Sequence, residues 1–402
     1  QIWRAMNELR YIFKHSLLRE AVYDMQMRTR LRELHLLIAE AIEKIYADQL
    51  EDHYFDLAFH YEQSDVLDKT MEYLQKAAEH ARQYYQNRQA LICYDKLLEF
   101  LEKEVEDKTL EIQTLLSKGK VLELTGVWDE AGAAYNRALF LAKELGEKNL
   151  LGRAHNNLGH LLLLRGEYKE ARLYLELSAS FFETVNDSFG IAKVYGDLGN
   201  LFFRQGNYES AKSYFTQSIN LSRELEYSAS FTQIVANLAL AYMNQGAYDE
   251  GLRWLQTQLE LARQNQDKQG MATLHINMGI LNFEKGDIEN SQQCHEKGLV
   301  LAQELGNKLL NAIAVGCLGS VKERKGDFQG AMEHFQEDLE LAEELGDPQG
   351  IAIAHCLLGE LFSVMGRFDE AILHLEKACT VSTDLGYKKG LAKAVNTLGD
   401  VH

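Results

Sequence analysis

Proline is nearly absent: one residue, Pro348, in a chain of 402. The commonest helix breaker is therefore missing, and abundant Leu, Ala, Glu, Lys and Gln point to a mostly helical protein. No apolar run reaches membrane-spanning length and no secretory leader is visible, so a soluble, cytoplasmic protein without membrane contact is expected. Cysteine is sparse. Cys93, Cys294, Cys317, Cys356 and Cys379 form no CxxC pair, so reduced, largely buried thiols are expected rather than disulfides or zinc. Positive charge is also short. A net charge of −18 argues against nucleic acid as the main partner and would favour basic ones. The balance reverses over the first 35 residues, where seven Lys and Arg outnumber four Asp and Glu. The chain opens on Gln1 and stops inside a repeat, so a fragment of a longer protein is expected.

Catalytic signatures are missing too. Gly119-Lys120 lacks the upstream glycine and the strand of a phosphate loop, and no HExxH, GxSxG or strand-borne GxGxxG occurs. No catalytic, cofactor-binding or metal-ligating residue is assigned, no cofactor is expected, and the chain is read as non-enzymatic. His155, His275 and His355 each precede a repeated glycine by four residues, so helix packing accounts for them better than metal ligation.

What the chain has is a period. "HNNLGHLLLLRGEYKEA" at 155–171 returns as "YGDLGNLFFRQGNYESA" at 195–211. Glycines stand 40 apart, from Gly126 through Gly166, Gly206, Gly246, Gly286 and Gly326 to Gly366. Two residues after each comes an aromatic or Ile, from Trp128 to Phe368, and five after it a small residue, from Ala131 to Ala371. Seven residues before each stands Gly119, Gly159, Gly199, Ala239, Gly279, Gly319 or Gly359. A glycine inside a helix costs about 1 kcal/mol against alanine, so it needs a packing reason. The spacing predicts two antiparallel helices crossing closely, the early glycine and the later small residue facing each other. The middle glycine ends the first helix in a left-handed turn, and the aromatic opens the second.

These residues resemble the tetratricopeptide repeat, in a 40-residue form similar to that of Pins-type adaptors. The resemblance implies an all-α fold, a right-handed superhelical α-solenoid of helical hairpins. Seven units are expected over 112–391, followed by the truncated first helix of an eighth at 392–402. Residues 51–111 read as atypical units of the same kind. The unit at 272–311 departs most, with Asn282, Ile288, Ser291 and His295 at usually apolar or small positions, and local irregularity or a kink is expected there.

Residues 1–50 read as a junction. Tyr11, Phe13 and His15 suggest a short strand, and Leu34, Ile38, Ala39 and Ile42 the apolar stripe of a helix. "FKHSLLREAVY" and "RLRELH" look like the segment joining the ATPase core to the helical repeats in signal-transduction (STAND) NTPases and class III cyclase fusions. There that segment ends a winged-helix-like module. Arg28, Arg30 and Arg32 could face a nucleotide-binding core or form a solvated helix face.

In tetratricopeptide arrays the first helices line a concave groove, and the resemblance maps that groove here. It places Arg153, Asn157, His160, Lys193, Asn200, Phe203, Arg204, Asn237, Met243, Asn277 and Phe283 along it. A row of carboxamides beside apolar side chains suits an extended or helical segment of a protein partner. The expected function is a binding scaffold for such a segment, with self-association left open. The alternative is the sensor arm of a larger STAND-type ATPase or nucleotide cyclase.

Overall fold

The structure, a computed structural model, describes residues 27–84, 86–224 and 231–401, and every regular element among them is a helix. The strand expected around Tyr11, Phe13 and His15, with the winged-helix-like remnant, lies outside these residues. The chain divides into two compact units, meeting between Val105 and Glu106.

The first unit comprises α1 (Arg28–Ile45), a 3-10 segment (Ala47–His53), α2 (Tyr54–Gln63), α3 (Leu67–Gln83) and α4 (Asn87–Lys103). Helix α3 packs against both α2 and α4. The stripe expected on α1 is corrected. Ala39 is buried, but Leu34 and Ile38 are 36% and 42% exposed, and His35 takes the inner position instead. Polar contacts turn the helix. His35 Nδ1 lies 2.7 Å from His60 Nδ1, and Glu43 accepts a hydrogen bond from the Tyr73 hydroxyl on α3. In the basic cluster, Arg30 pairs with Glu33 and Arg32 with Asp65, all exposed.

The second unit alternates first and second helices of successive hairpins. They run α5 (Lys108–Leu124), α6 (Trp128–Leu145), α7 (Lys148–Arg165), α8 (Tyr168–Thr184), α9 (Ser188–Arg204), α10 (Tyr208–Glu224), α11 (Phe231–Met243) and α12 (Tyr248–Gln264). After these come α13 (Lys268–Lys285), α14 (Ile288–Glu304), α15 (Lys308–Arg324), α16 (Phe328–Leu345), α17 (Pro348–Val364), α18 (Phe368–Leu385) and α19 (Lys388–Val401). Each helix packs on the next in sequence, and first helices also touch first helices, as α13 does α11 and α15. Helices α13 and α14 run unbroken, so of the two expectations for that unit the kink is absent.

The hairpin crossing is tighter than the spacing implied. A Cβ built on Gly199 would fall 2.5 Å from the Phe215 ring, and one on Gly159 2.8 Å from Leu175 and 3.3 Å from the Ala171 carbonyl oxygen. The glycine therefore seats two partners, the small residue and the large one four places later. Tyr135, Leu175, Phe215, Leu255, Phe335 and Leu375 fill that large position fully buried, a gain of roughly 2 kcal/mol each. The middle glycines adopt φ between +72° and +90°, as a left-handed helix stop requires. Buried serines add a second tie, Ser178 Oγ donating to the Gly152 carbonyl at 2.7 Å.

In the deviant unit the large position is His295, packed on Gly279. His275 and His295 each bury an Nδ1 with no hydrogen-bond partner. Burial pushes both imidazoles down from 6.5 to about 4. The unfolded chain then binds protons between those values that the folded chain refuses, so stability is full above about 6.5 and falls as the pH drops toward 4. His295→Leu, which supplies the residue found at positions 175 and 375, should raise the urea midpoint at pH 7 and flatten its fall between pH 6.5 and 5. An unchanged pH slope would show that His295 is not the group responsible. Gly199→Leu should cost about 3 kcal/mol or more by overpacking the crossing. A urea midpoint matching that of an exposed Lys→Ala control would refute the close-approach account.

Candidate partner-binding surface

A helix with 3.6 residues per turn brings its positions 2, 6, 9 and 13 onto one side, so equivalent residues of successive first helices align into rows. Asn157 and His160 on α7 and Lys193 on α9 share one cavity of about 500 Å³. Its near wall also holds Glu123 of α5 and Trp128 and Tyr135 of α6. Its far wall comes from much later in the chain: Leu309 of α15, Pro348 and Gln349 of α17, and Leu385 of α18. The array thus returns onto its own first hairpin. A Cβ on Gly126 would sit 2.6 Å from Pro348 Cγ and 2.8 Å from Leu385 Cδ1. Arg204 and Tyr387 mark a second approach across the turn, close enough for the guanidinium charge to act on the phenol, whose pKa burial raises.

The cavity's polar groups are mostly paired. Burial alone would lower the His160 pKa, but Glu123, whose Oε1 lies 3.0 Å from its Nδ1, outweighs that and raises it. The Tyr135 hydroxyl donates to the same carboxylate at 3.2 Å. Asp197 accepts from Asn156 Nδ2 at 2.7 Å, and Asp347 caps α17 by accepting from the Gln349 amide at 3.0 Å. Asn157 stands apart: it is 6% exposed, faces the cavity, and its carboxamide takes part in no hydrogen bond among the described residues.

The other sequence-named positions are distributed along the first helices. Asn237 Nδ2 donates to Asn200 Oδ1 at 2.8 Å, tying α11 to α9, and Asn277 Nδ2 donates to the Thr273 carbonyl of its own helix at 2.9 Å. Both hydrogen bonds join groups within the chain, unlike the free carboxamide of Asn157. Phe203 packs edge-on against Tyr208, Met243 leans on the core around Leu238 and Leu255, and Phe283 lies under Arg324, 4.9 Å from guanidinium carbon to ring centre. Arg153 is half-buried and Arg204 exposed. The sequence reading missed Lys120, Glu123, Trp128, Pro348 and Leu385. The signal for the first two was present, since they occupy in α5 the repeat positions that His160 and Leu163 occupy in α7.

The tetratricopeptide-repeat profiles match residues 110–184, 231–304 and 309–384, with a further repeat at 192–225. The chain belongs to the tetratricopeptide-repeat family. No curated protein sequence matches it significantly. Among solved structures it is similar to a Rap protein complexed with competence and sporulation factor, at 15% identity and a TM-score of 0.53, over 82% of this chain and 97% of that one. It is similar also to the Rap conjugation regulator of plasmid pLS20 in complex with a Phr peptide, at 14% identity and a TM-score of 0.57, over 81% and 97%. A third is a STAND protein with a tetratricopeptide repeat sensor from Pyrococcus horikoshii, at 14% identity and a TM-score of 0.52, over 98% and 67%. At such identities the likeness is one of tetratricopeptide fold. No helix among the described residues is long and apolar enough to cross a membrane.

The contact that closes the array can be weighed against a control. Gly126 and Gly206 both hold φ near +76°, but nothing lies within 4 Å of a Cβ on Gly206. Gly206→Ala should cost about 1 kcal/mol of left-handed strain, and Gly126→Ala a further 1 kcal/mol or so of overpacking. Equal urea midpoints for the two variants would mean that the ends do not meet in solution.

Proposed function

We propose that this chain is a non-catalytic scaffold that binds a segment of a partner protein along the row of first helices. The observation that carries this reading is Asn157, whose carboxamide has no hydrogen-bond partner among the described residues and opens into a cavity beside Lys193. It offers a peptide group both a donor and an acceptor, each hydrogen bond contributing about 0.5–1.5 kcal/mol. Lys193 and Arg204, exposed on the same rows, suit acidic side chains flanking the bound segment, and set register and on-rate more than affinity. One similar structure is described as a complex with a peptide and another as a complex with competence and sporulation factor, which supports the reading without supplying the ligand.

A second reading is favoured by one observation: the STAND protein with a tetratricopeptide repeat sensor covers 98% of this chain, including its N-terminal unit. In that reading the scaffold is the sensor arm of a signalling ATPase. Determining the residues that precede Gln1 and searching them for a phosphate loop decides it.

Peptides selected for binding to the intact chain from a random displayed library provide the test of the scaffold reading. Their affinity should fall about tenfold in Asn157→Ala, from the loss of roughly 1–1.5 kcal/mol of hydrogen bonding. It should fall further in Lys193→Glu, with the melting temperature little changed. Peptides that bind both variants as they bind the parent would place the binding surface elsewhere and sink the groove.

A further inference from the structure

The cavity's two walls belong to opposite ends of the repeat array, and its lining carries charges of both signs. Lys120 and Lys193 stand beside Glu123, Asp197 and Asp347. The carboxylates are already engaged, by His160 and Tyr135, by Asn156 and by the amide of Gln349. Much of the remaining surface is Leu, Trp and Pro, and the carboxamides of Asn157 on the near wall and Gln349 on the far wall each offer an unused donor and acceptor. A site of this composition takes an apolar group with an adjoining amide.

We propose that the cavity is an anchoring pocket for an apolar side chain of the partner, with the adjoining backbone amide held by Asn157. It refines the scaffold reading and rests on it for the source of that side chain. The occupant touches Trp128 on the first hairpin and Leu309, Pro348 and Leu385 on the last ones, so seating it ties the two ends of the turn together. The pocket therefore exists only in the closed array, and binding there stabilises closure by mass action.

Fluorine NMR of the intact chain labelled with fluorotryptophan tests this. The chain has three tryptophans, of which Trp128 lines the pocket and Trp254 does not, and Trp128→Phe assigns the resonance. N-acetyl-leucinamide should shift the Trp128 signal saturably, with a Kd of about 1–10 mM, the range open to a ligand of that size. Trp254 should stay still, and N-acetyl-asparaginamide should do nothing. Asn157→Ala on the near wall and Leu309→Ser on the far wall should each weaken binding about fivefold or more. Leu309 is half-exposed at the start of α15, so that variant keeps the test usable if Asn157→Ala loses stability. A tripeptide, acetyl-Ala-Leu-Ala-amide, should bind at least as tightly as the single residue.

The proposal is overturned by a silent Trp128, by equal responses from Trp254 or the asparagine compound, or by undiminished binding in Leu309→Ser. It is overturned as well if the tripeptide is excluded while the single residue binds, because the pocket would then take free small molecules. Selected peptides that bind normally while Trp128 stays silent would end this inference and leave the scaffold reading standing. A Trp128 response in a chain for which no peptide can be selected would do the reverse.

Discussion

The second unit depends on one steric constraint, the contact of a helix backbone with a side chain from the next helix. At Gly199 the Phe215 ring occupies the space where any other residue would place its Cβ, and Gly159, Gly319 and Gly359 repeat the arrangement with Leu175, Phe335 and Leu375. Because the partner side chain sits on backbone rather than on another side chain, its position leaves little slack, and the angle of each hairpin is set locally. Small per-unit rotations then accumulate along the array. The rows of inward-facing residues, the meeting of Gly126 with Pro348 and Leu385, and the cavity between them all follow from that repeated angle.

Electrostatics plays a secondary part in holding the units together. Surface ion pairs join one hairpin to the next, as Arg165 with Asp129 at 2.6 Å and Lys285 with Asp249 at 2.7 Å. Such pairs are worth about 0–1 kcal/mol each and weaken with salt. Their effect is on register: each spans the same step of the repeat and penalises a slip between neighbours. The apolar large position supplies the energy.

The hairpins were legible because their signal is redundant. Glycine, aromatic and small residue return at fixed spacing in unit after unit, so a deviation such as His295 stands out against the pattern and still leaves α14 intact. Helix α1 was misread because a single amphipathic helix has no such redundancy: a hydrogen-bonded His35 can outcompete Leu34 and Ile38 for the inner face. Of the candidate surface, the rows were legible and the pairing within them was not. The spacing places Asn200 and Asn237 on facing helices but does not say that one carboxamide donates to the other. The far wall was illegible in principle. Leu309 and Leu385 reach Trp128 through the summed pitch of several hairpins, a quantity that no local pattern encodes.

Open repeat arrays can gain or lose a unit during evolution at nearly constant cost, since each unit interacts with its neighbours alone. The contact of Gly126 with Pro348 and Leu385 removes that freedom here. Deleting one 40-residue unit would carry Pro348 away from Gly126 by a full step of the array, and duplicating one would drive the ends past each other. The number of hairpins between α6 and α17 thus behaves like the subunit number of a closed ring: an integer that the geometry selects, in which substitutions accumulate freely and insertions of whole repeats do not.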